Sequence, residues 1–137
     1  MKANAIVVGT DLTEESVALL AEAERMARAF EGHVVLVHAV QPIEDPDQAD
    51  ADTQAFHEKL MNQAEEWMER QRQAWDREVD LCTCVQLGPR VQVLLHEVKG
   101  RQARLLVLGS PFRGSGPPVG IGLQVLAQCP CPVLIVP

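Results

Sequence analysis

With 137 residues the chain is long enough for one domain with a sizeable core and too short for two ordinary ones, so residues 1–137 are expected to form a single domain. Apolar residues make up 47% and charged residues 23%, a globular and not a disordered balance. The net charge of −7 argues against nonspecific binding to nucleic acid or to anionic membrane, although a small anion answers to local backbone amides and not to global charge.

No apolar run approaches the length of a membrane span. Met1-Lys2-Ala3-Asn4 passes at once into an apolar run, so no signal peptide is expected and the expected compartment is the cytoplasm. Ala5 to Val8 reads as a buried strand that ends in the turn Gly9-Thr10-Asp11. Thr13 can cap a helix, with Glu14 and Glu15 well placed for its dipole. Val17, Leu20, Ala23, Ala27 and Phe30 recur at helical spacing, and Gly32 stops that helix. His33 to Val40, rich in valine, is the second buried strand.

Residues 41–52 carry two prolines and five acids without periodicity, and read as a loop. The acids lack the spacing of a calcium loop. A long helix is expected over 53–77, with Phe56, Leu60, Ala64, Trp67, Gln71 and Trp75 along one side. Residues 78–87 form the third strand. Its alternation sets Val79, Leu81, Thr83 and Val85 against a more polar face of Asp80, Cys82, Cys84 and Gln86, which suits a sheet edge. Gly88-Pro89 turns the chain and places proline at the first position of a third helix, striped by Val91, Leu94, Leu95 and Val98. Leu105 to Gly109 is a fourth buried strand. It empties into a run that holds Gly114, Gly116, Gly120 and Gly122 among three prolines. A short helix over 119–128 and a last apolar strand, Val133 to Val136, complete the chain.

The expected fold is α/β: a doubly wound, five-stranded parallel sheet with helices on both faces. Right-handed crossovers leave the strand order 3-2-1-4-5 as one of few options. Its topological switch falls between strands 1 and 4, and ligands bind outside the carboxyl ends of strands at such a switch. Gly9-Thr10-Asp11 and Gly109-Ser110 should therefore face one crevice.

Val8-Gly-Thr-Asp11, Leu36-Val-His-Ala39, Gly88-Pro89, Leu105-Leu-Val-Leu-Gly-Ser110 and Cys131-Pro-Val-Leu-Ile-Val136 lie in an order and spacing that resemble the universal stress proteins over the whole chain. ATP-binding members of that family resemble one another in a G-x2-G-x9-G-[S/T] pattern after strand 4. Here Gly109 takes the first position, Phe112 stands at the second, and the loop is shorter, so that the closing pair falls near Val119-Gly120 with no hydroxyl. A phenylalanine there obstructs the approach of backbone to phosphate, and Pro117 and Pro118 have no amide to donate. The resemblance implies that Asp11 meets the adenosine half and that Ala39 offers backbone to the base. If a nucleotide site is retained, Gly109, Ser110, Arg113, Gly114 and Gly120 would line its phosphates.

Each of these positions also has a plainer reading. Asp11 is equally a turn acid that serves the following helix, and the glycine-rich loop a connection that lets the fourth helix start close to the sheet. Arg113 reads rather as a solvated surface residue than as a phosphate contact. His38 matches a histidine common in the family and reads as a hydrogen-bonded core residue. No nucleophile–base–orienter set appears, so no catalytic residue is assigned. The receiver-domain pattern of paired acids and a lysine is absent as well.

Cys82/Cys84 and Cys129/Cys131 form two C-x-C pairs. Strands 3 and 5 lie at opposite edges, four spacings of about 4.8 Å or roughly 19 Å apart, which zinc–sulfur bonds of about 2.3 Å cannot span. No metal site is assigned, and the cysteines are expected to be reduced thiols.

An apolar strand at a sheet edge invites association unless covered. Universal stress proteins resemble one another in pairing this edge across a two-fold axis, which implies a homodimer centred on Val133, Leu134, Ile135 and Val136. Two functions follow. The first is a non-enzymatic stress-response regulator with a degenerate nucleotide loop, acting on a protein partner that the sequence does not identify and requiring no cofactor. The alternative is a sensor that takes ATP or AMP in the crevice between strands 1 and 4.

Overall fold

Alternation within the apolar runs builds both faces of the sheet at once. In the computed structural model, which describes residues 4–109 and 121–137, five strands run parallel in the order β3-β2-β1-β4-β5. They are β1 (Ala5–Gly9), β2 (His33–Val40), β3 (Leu81–Leu87), β4 (Leu105–Gly109) and β5 (Val133–Val136). Ile6, Val8, Val34, Leu36, Leu105 and Val107 point to one face, where α1 (Glu14–Ala29) and α2 (Ala51–Ala74) pack. Ala5, Val7, Val35, Val37, Leu106 and Leu108 point to the other, under α3 (Arg90–Gly100) and α4 (Ile121–Leu126). The doubly wound α/β fold expected from the sequence, with its strand order, is the fold found. Ile6, Leu36 and Leu106 are fully buried. Each such side chain stabilises the fold by about 1.5–3 kcal/mol.

Strand lengths set the relief at the carboxyl end of the sheet. The β1–β2 register ends at Gly9↔Val37, while β2–β3 continues to Val40↔Leu87. The last three residues of β2, His38 to Val40, thus overhang the end of β1. On the far side β4 pairs with β1 through Val8↔Val107 and with β5 through Gly109↔Val136. The notch above β1 lies between β2 and β4, where the chain changes winding direction.

Several helix ends differ from the expected ones, each for a local reason. Thr13 caps α1 as expected, accepting from Ser16 N–H at 3.3 Å. The helix stops at Ala29, however, and the left-handed residue is Glu31, with φ of 54°. Gly32 has a different duty. A Cβ there would lie 1.9 Å from the carbonyl oxygen of Asn4. That carbonyl accepts from His33 N–H at 3.0 Å, and the Asn4 side chain donates to Phe30 O at 2.6 Å. Asn4 thus clasps the turn between α1 and β2 to the start of β1.

The second helix begins earlier than expected because Asp50 is its cap, accepting from Thr53 N–H at 2.8 Å. It ends earlier because Trp75 leaves the helix and donates its indole N–H to Val79 O at 2.8 Å. Ala64 is buried as expected, with Leu60, Trp67 and Trp75 packed on the core, and only the start of the buried side is shifted by one position. His57 is buried, accepting Ile43 N–H on Nε2 at 3.1 Å, whereas Phe56 is 44% exposed. In α1 the same holds for Val17, which is 39% exposed beside the buried Ser16. Pairing of β3 starts at Asp80 O, which accepts from Val34 N–H, so the strand is shorter than the apolar run. Pro89 stands one position before α3, as its N-cap without a side-chain bond, and not inside the helix. The first expected residues of α4 lie outside the described ones; within them it covers Ile121–Leu126.

Candidate functional site

The turn after β1 is held from three sides. Thr10 N–H donates to Val37 O at 2.9 Å, which carries the strand pairing one residue past the register. Ser16 Oγ donates to Thr13 O at 2.6 Å, so the 2.6 Å contact between Thr10 and Ser16 uses the Thr10 hydroxyl proton. Thr10 Oγ1 in turn accepts from the N–H of Leu12 at 3.0 Å, and Leu12 itself has a φ of 66°. On the third side His38 Nδ1 lies 2.8 Å from Thr10 O. A carbonyl can only accept, so Nδ1 carries the proton. Burial pushes the His38 pKa down, the nearby Arg90 charge adds to that, and the bond to Thr10 and the Asp11 charge oppose it. The imidazole is neutral at neutral pH.

Asp11 projects from this turn, exposed at the carboxyl end of the sheet. Its Oδ1 accepts from Thr13 N–H at 3.2 Å and from the Thr13 hydroxyl at 2.5 Å. It therefore steadies the residue that caps α1, an arrangement that leaves the carboxylate at the crevice rim. Ala39 lies two residues beyond the last β1–β2 pair. Val37 O bonds toward β1, and Val40 O bonds toward β3 through Gly88 N–H at 2.9 Å. Strand alternation then aims the Ala39 peptide groups at the β1 side, over the notch. Gly109 ends β4 opposite Val136. Ser110, Arg113, Gly114 and Gly120 lie outside the described residues.

Next to the notch is an open cleft of about 500 Å³ that the sequence did not disclose. Gln41 extends β2 into it. Pro89, Arg90, Val91, Gln92 and Leu95 form the wall given by the start of α3, and Gln124 and Gln128 the wall given by α4 and the turn after it. The volume falls within the usual range for small-molecule sites, about 300–1,000 Å³. Side-chain amides can donate and accept at a heterocycle's edge, Val91 and Leu95 supply apolar surface, and Arg90 supplies a positive charge. Arg90 breaks a local rule: it is a cation in the first turn of a helix that has no acidic residue there. A residue that opposes the helix dipole without local return is a candidate for function. That position, directly after the turn that follows β3, was the one sequence signal available for it.

Among the described residues no group of three or more His, Cys, Asp or Glu is placed to hold a metal ion. No helix among them is long and apolar enough to cross a membrane.

The architecture is shared with solved structures at low identity. The universal stress protein UspA from Lactobacillus plantarum is 18% identical, with a TM-score of 0.79, covering 100% of this chain and 99% of that one. A universal stress protein solved in complex with cAMP is 20% identical, with a TM-score of 0.65 over 97% and 95%. One from Archaeoglobus fulgidus in complex with dAMP is 16% identical, with a TM-score of 0.64 over 98% of each chain. At these identities the likeness is one of fold. No curated protein matches at a significant level. The sequence model of the universal stress protein family matches residues 3–137, nearly the whole chain, and this protein belongs to that family.

Proposed function

We propose that residues 1–137 are a single regulatory domain of the stress response that binds an adenine mononucleotide at the carboxyl end of its sheet and performs no chemistry on it. The observation that carries this reading is the cleft of about 500 Å³ with Arg90 at its wall, set beside the notch over β1. Asp11 and the Ala39 backbone face the sugar and base, and Gly109 opens the phosphate side. Ser110, Arg113, Gly114 and Gly120 belong to the same proposal on sequence grounds alone. Two proteins of this fold were solved with cAMP and dAMP, both of them nucleoside monophosphates, which supports the choice of ligand class. The sequence after β4 argues against a full triphosphate cradle, since Phe112 replaces a glycine and Pro117 and Pro118 have no amide to donate. ATP should bind no better than AMP.

The domain acts as a homodimer through β5. This strand is the sheet edge, and Val133, Leu134, Ile135 and Val136 are each half-buried there. Its place is the cytoplasm, its partner a protein, and the nucleotide state of the crevice modulates that contact. A second reading, the same dimer with no nucleotide, is favoured by the degenerate loop alone.

Thermal unfolding with AMP, cAMP and ATP–magnesium, with mass spectrometry of whatever the purified protein releases on denaturation, tests the proposal. A ligand at a hundred times its dissociation constant stabilises by about 2.7 kcal/mol. AMP should shift the midpoint, and ATP should shift it by no more. Absence of any shift at millimolar nucleotide, with no nucleotide released, selects the second reading.

A further inference from the structure

The four cysteines sit in two unlike settings. Cys84 Sγ donates to Glu97 Oε1 at 3.3 Å, and Glu97 is in turn held by Arg101 Nε at 2.8 Å. Burial pushes the Cys84 thiol up, so it is an unreactive donor between β3 and α3. Cys129 and Cys131 instead face each other, with 3.6 Å between their sulfurs, both half-buried against the core layer under α3 and α4. They frame the corner between α4 and β5. Cys129 N–H donates to Val125 O at 2.8 Å, at the end of α4, and Pro132 O accepts from Leu106 N–H at 3.0 Å, where the β4–β5 ladder opens. Nothing at the crevice uses them.

We propose that Cys129 and Cys131 form a reversible dithiol–disulfide site that exchanges with low-molecular-weight disulfides. Closing the link takes the sulfurs from 3.6 Å to about 2.05 Å, a movement within the reach of two side chains in one short turn. The order of events follows from the pair itself. Burial, then the hydrogen bond to Cys129 and its charge, push the Cys131 thiol up to about 12. Cys131 therefore keeps its proton, and attack starts from Cys129. Its thiolate bonds to one sulfur of the reagent, the reagent's S–S bond breaks, and the released thiolate takes a proton from water. In the mixed disulfide Cys129 is neither an anion nor a hydrogen-bond partner, so two of the three causes that held up the Cys131 thiol are gone. Cys131 then loses its proton to solvent and attacks Cys129 Sγ, expelling the second thiolate, which is protonated. Two thiols and one reagent disulfide become one internal disulfide and two reagent thiols, and two electrons pass from the protein to the reagent. The closed loop is very short, so it gains little from loop-closure entropy, and excess thiol opens it again.

The test uses the reduced full chain and glutathione at graded ratios of oxidised to reduced form, with acid quenching, alkylation and peptide mass spectrometry. As the ratio rises, the peptide with Cys129 and Cys131 should lose two hydrogens and take up no alkylating agent, while Cys82 and Cys84 stay alkylated. Adding reduced glutathione should reverse this. Cys131→Ser should retain one glutathione on Cys129, and neither Cys131→Ser nor Cys129→Ser should form an internal link. The proposal is overturned if the wild-type chain collects glutathione with no internal link, if it stays fully alkylated at every ratio, or if the link involves Cys82 or Cys84. The wild-type arm decides this even where a variant fails to fold.

Discussion

Replacing Arg90 with glutamine should move binding and stability in opposite directions. Arg90 is exposed at the start of α3, where its charge meets the positive end of the helix dipole. Removing that conflict returns about 0.3–1 kcal/mol, which for a domain of this size raises the unfolding midpoint by roughly 1–4 °C. The same charge lines the cleft beside the notch. A hydrogen bond from it to a phosphate contributes about 1.5–3 kcal/mol, so its loss should weaken AMP binding by roughly 10- to 150-fold. A third readout is internal to the protein. Arg90 lowers the His38 pKa, so the His38 titration followed by NMR should move upward in Arg90→Gln. Calorimetry with AMP, urea melts of the free protein and the imidazole titration give all three. Unchanged AMP affinity together with the stability gain would show that Arg90 lines the cleft without meeting the ligand, and the proposed orientation of the nucleotide would fall.

Three further outcomes follow from the packing. Gly32→Ala drives a methyl group into the Asn4 carbonyl and should cost about 1–3 kcal/mol in urea denaturation, whereas at Gly100, where an added Cβ meets nothing within 4 Å, alanine should stabilise by a few tenths to about 1 kcal/mol. Equal effects at the two positions would refute the clasp assigned to Asn4. If the proposed dimer forms through β5, Leu134→Lys or Ile135→Lys should convert it to monomer or to aggregates by light scattering, and a dimer of unchanged mass and stability would remove β5 from the interface. For His38 the folded pKa lies below the unfolded value of 6.5, chiefly through burial. The unfolded chain therefore binds the proton first, and the stabilising contribution, complete above that pH, is lost as pH falls below it. The urea midpoint of wild type should drop more steeply than that of His38→Gln on acidification below 6.5, and parallel curves would contradict the assignment.

Much of this was legible in the sequence because it depends on period. Runs such as Val34-Val-Leu-Val37, covered on both faces, dictate a parallel sheet, and the order of strands and helices then leaves few topologies. The strand order, the edge position of β3 and β5 and the Thr13 cap follow. What was not legible depends on phase and on distant approach. Phe56 and His57 are adjacent, and only the Ile43 amide, arriving from the preceding loop, decides that the histidine goes inside. Gly32 reads as a helix stop, but its reason is the Asn4 backbone pressed against it. Arg90 belongs to no motif. Its meaning appears only when α4 supplies the opposite wall of the cleft.

The notch over β1 and the thiol pair stand at opposite ends of β4, while Gln128 of the cleft wall directly precedes Cys129. The Leu106 N–H of β4 donates to Pro132 O beside Cys131, and three residues later Gly109 closes the same strand at the notch. Coupling through the strand would need β4 to possess a second arrangement that each event favours differently. Its four residues from Leu105 to Leu108 are 0–8% exposed and are packed alternately into both core layers. Such an interior is dense and does not deform by degrees. Oxidation of Cys129 and Cys131 should therefore leave AMP affinity within about twofold, and AMP should leave the glutathione ratio at half-oxidation equally unmoved, since coupling of binding equilibria is reciprocal. A larger and matching change in both would mean that the thiol pair reports its redox state to the nucleotide site, by a shift of β4 or through Gln128 beside Cys129.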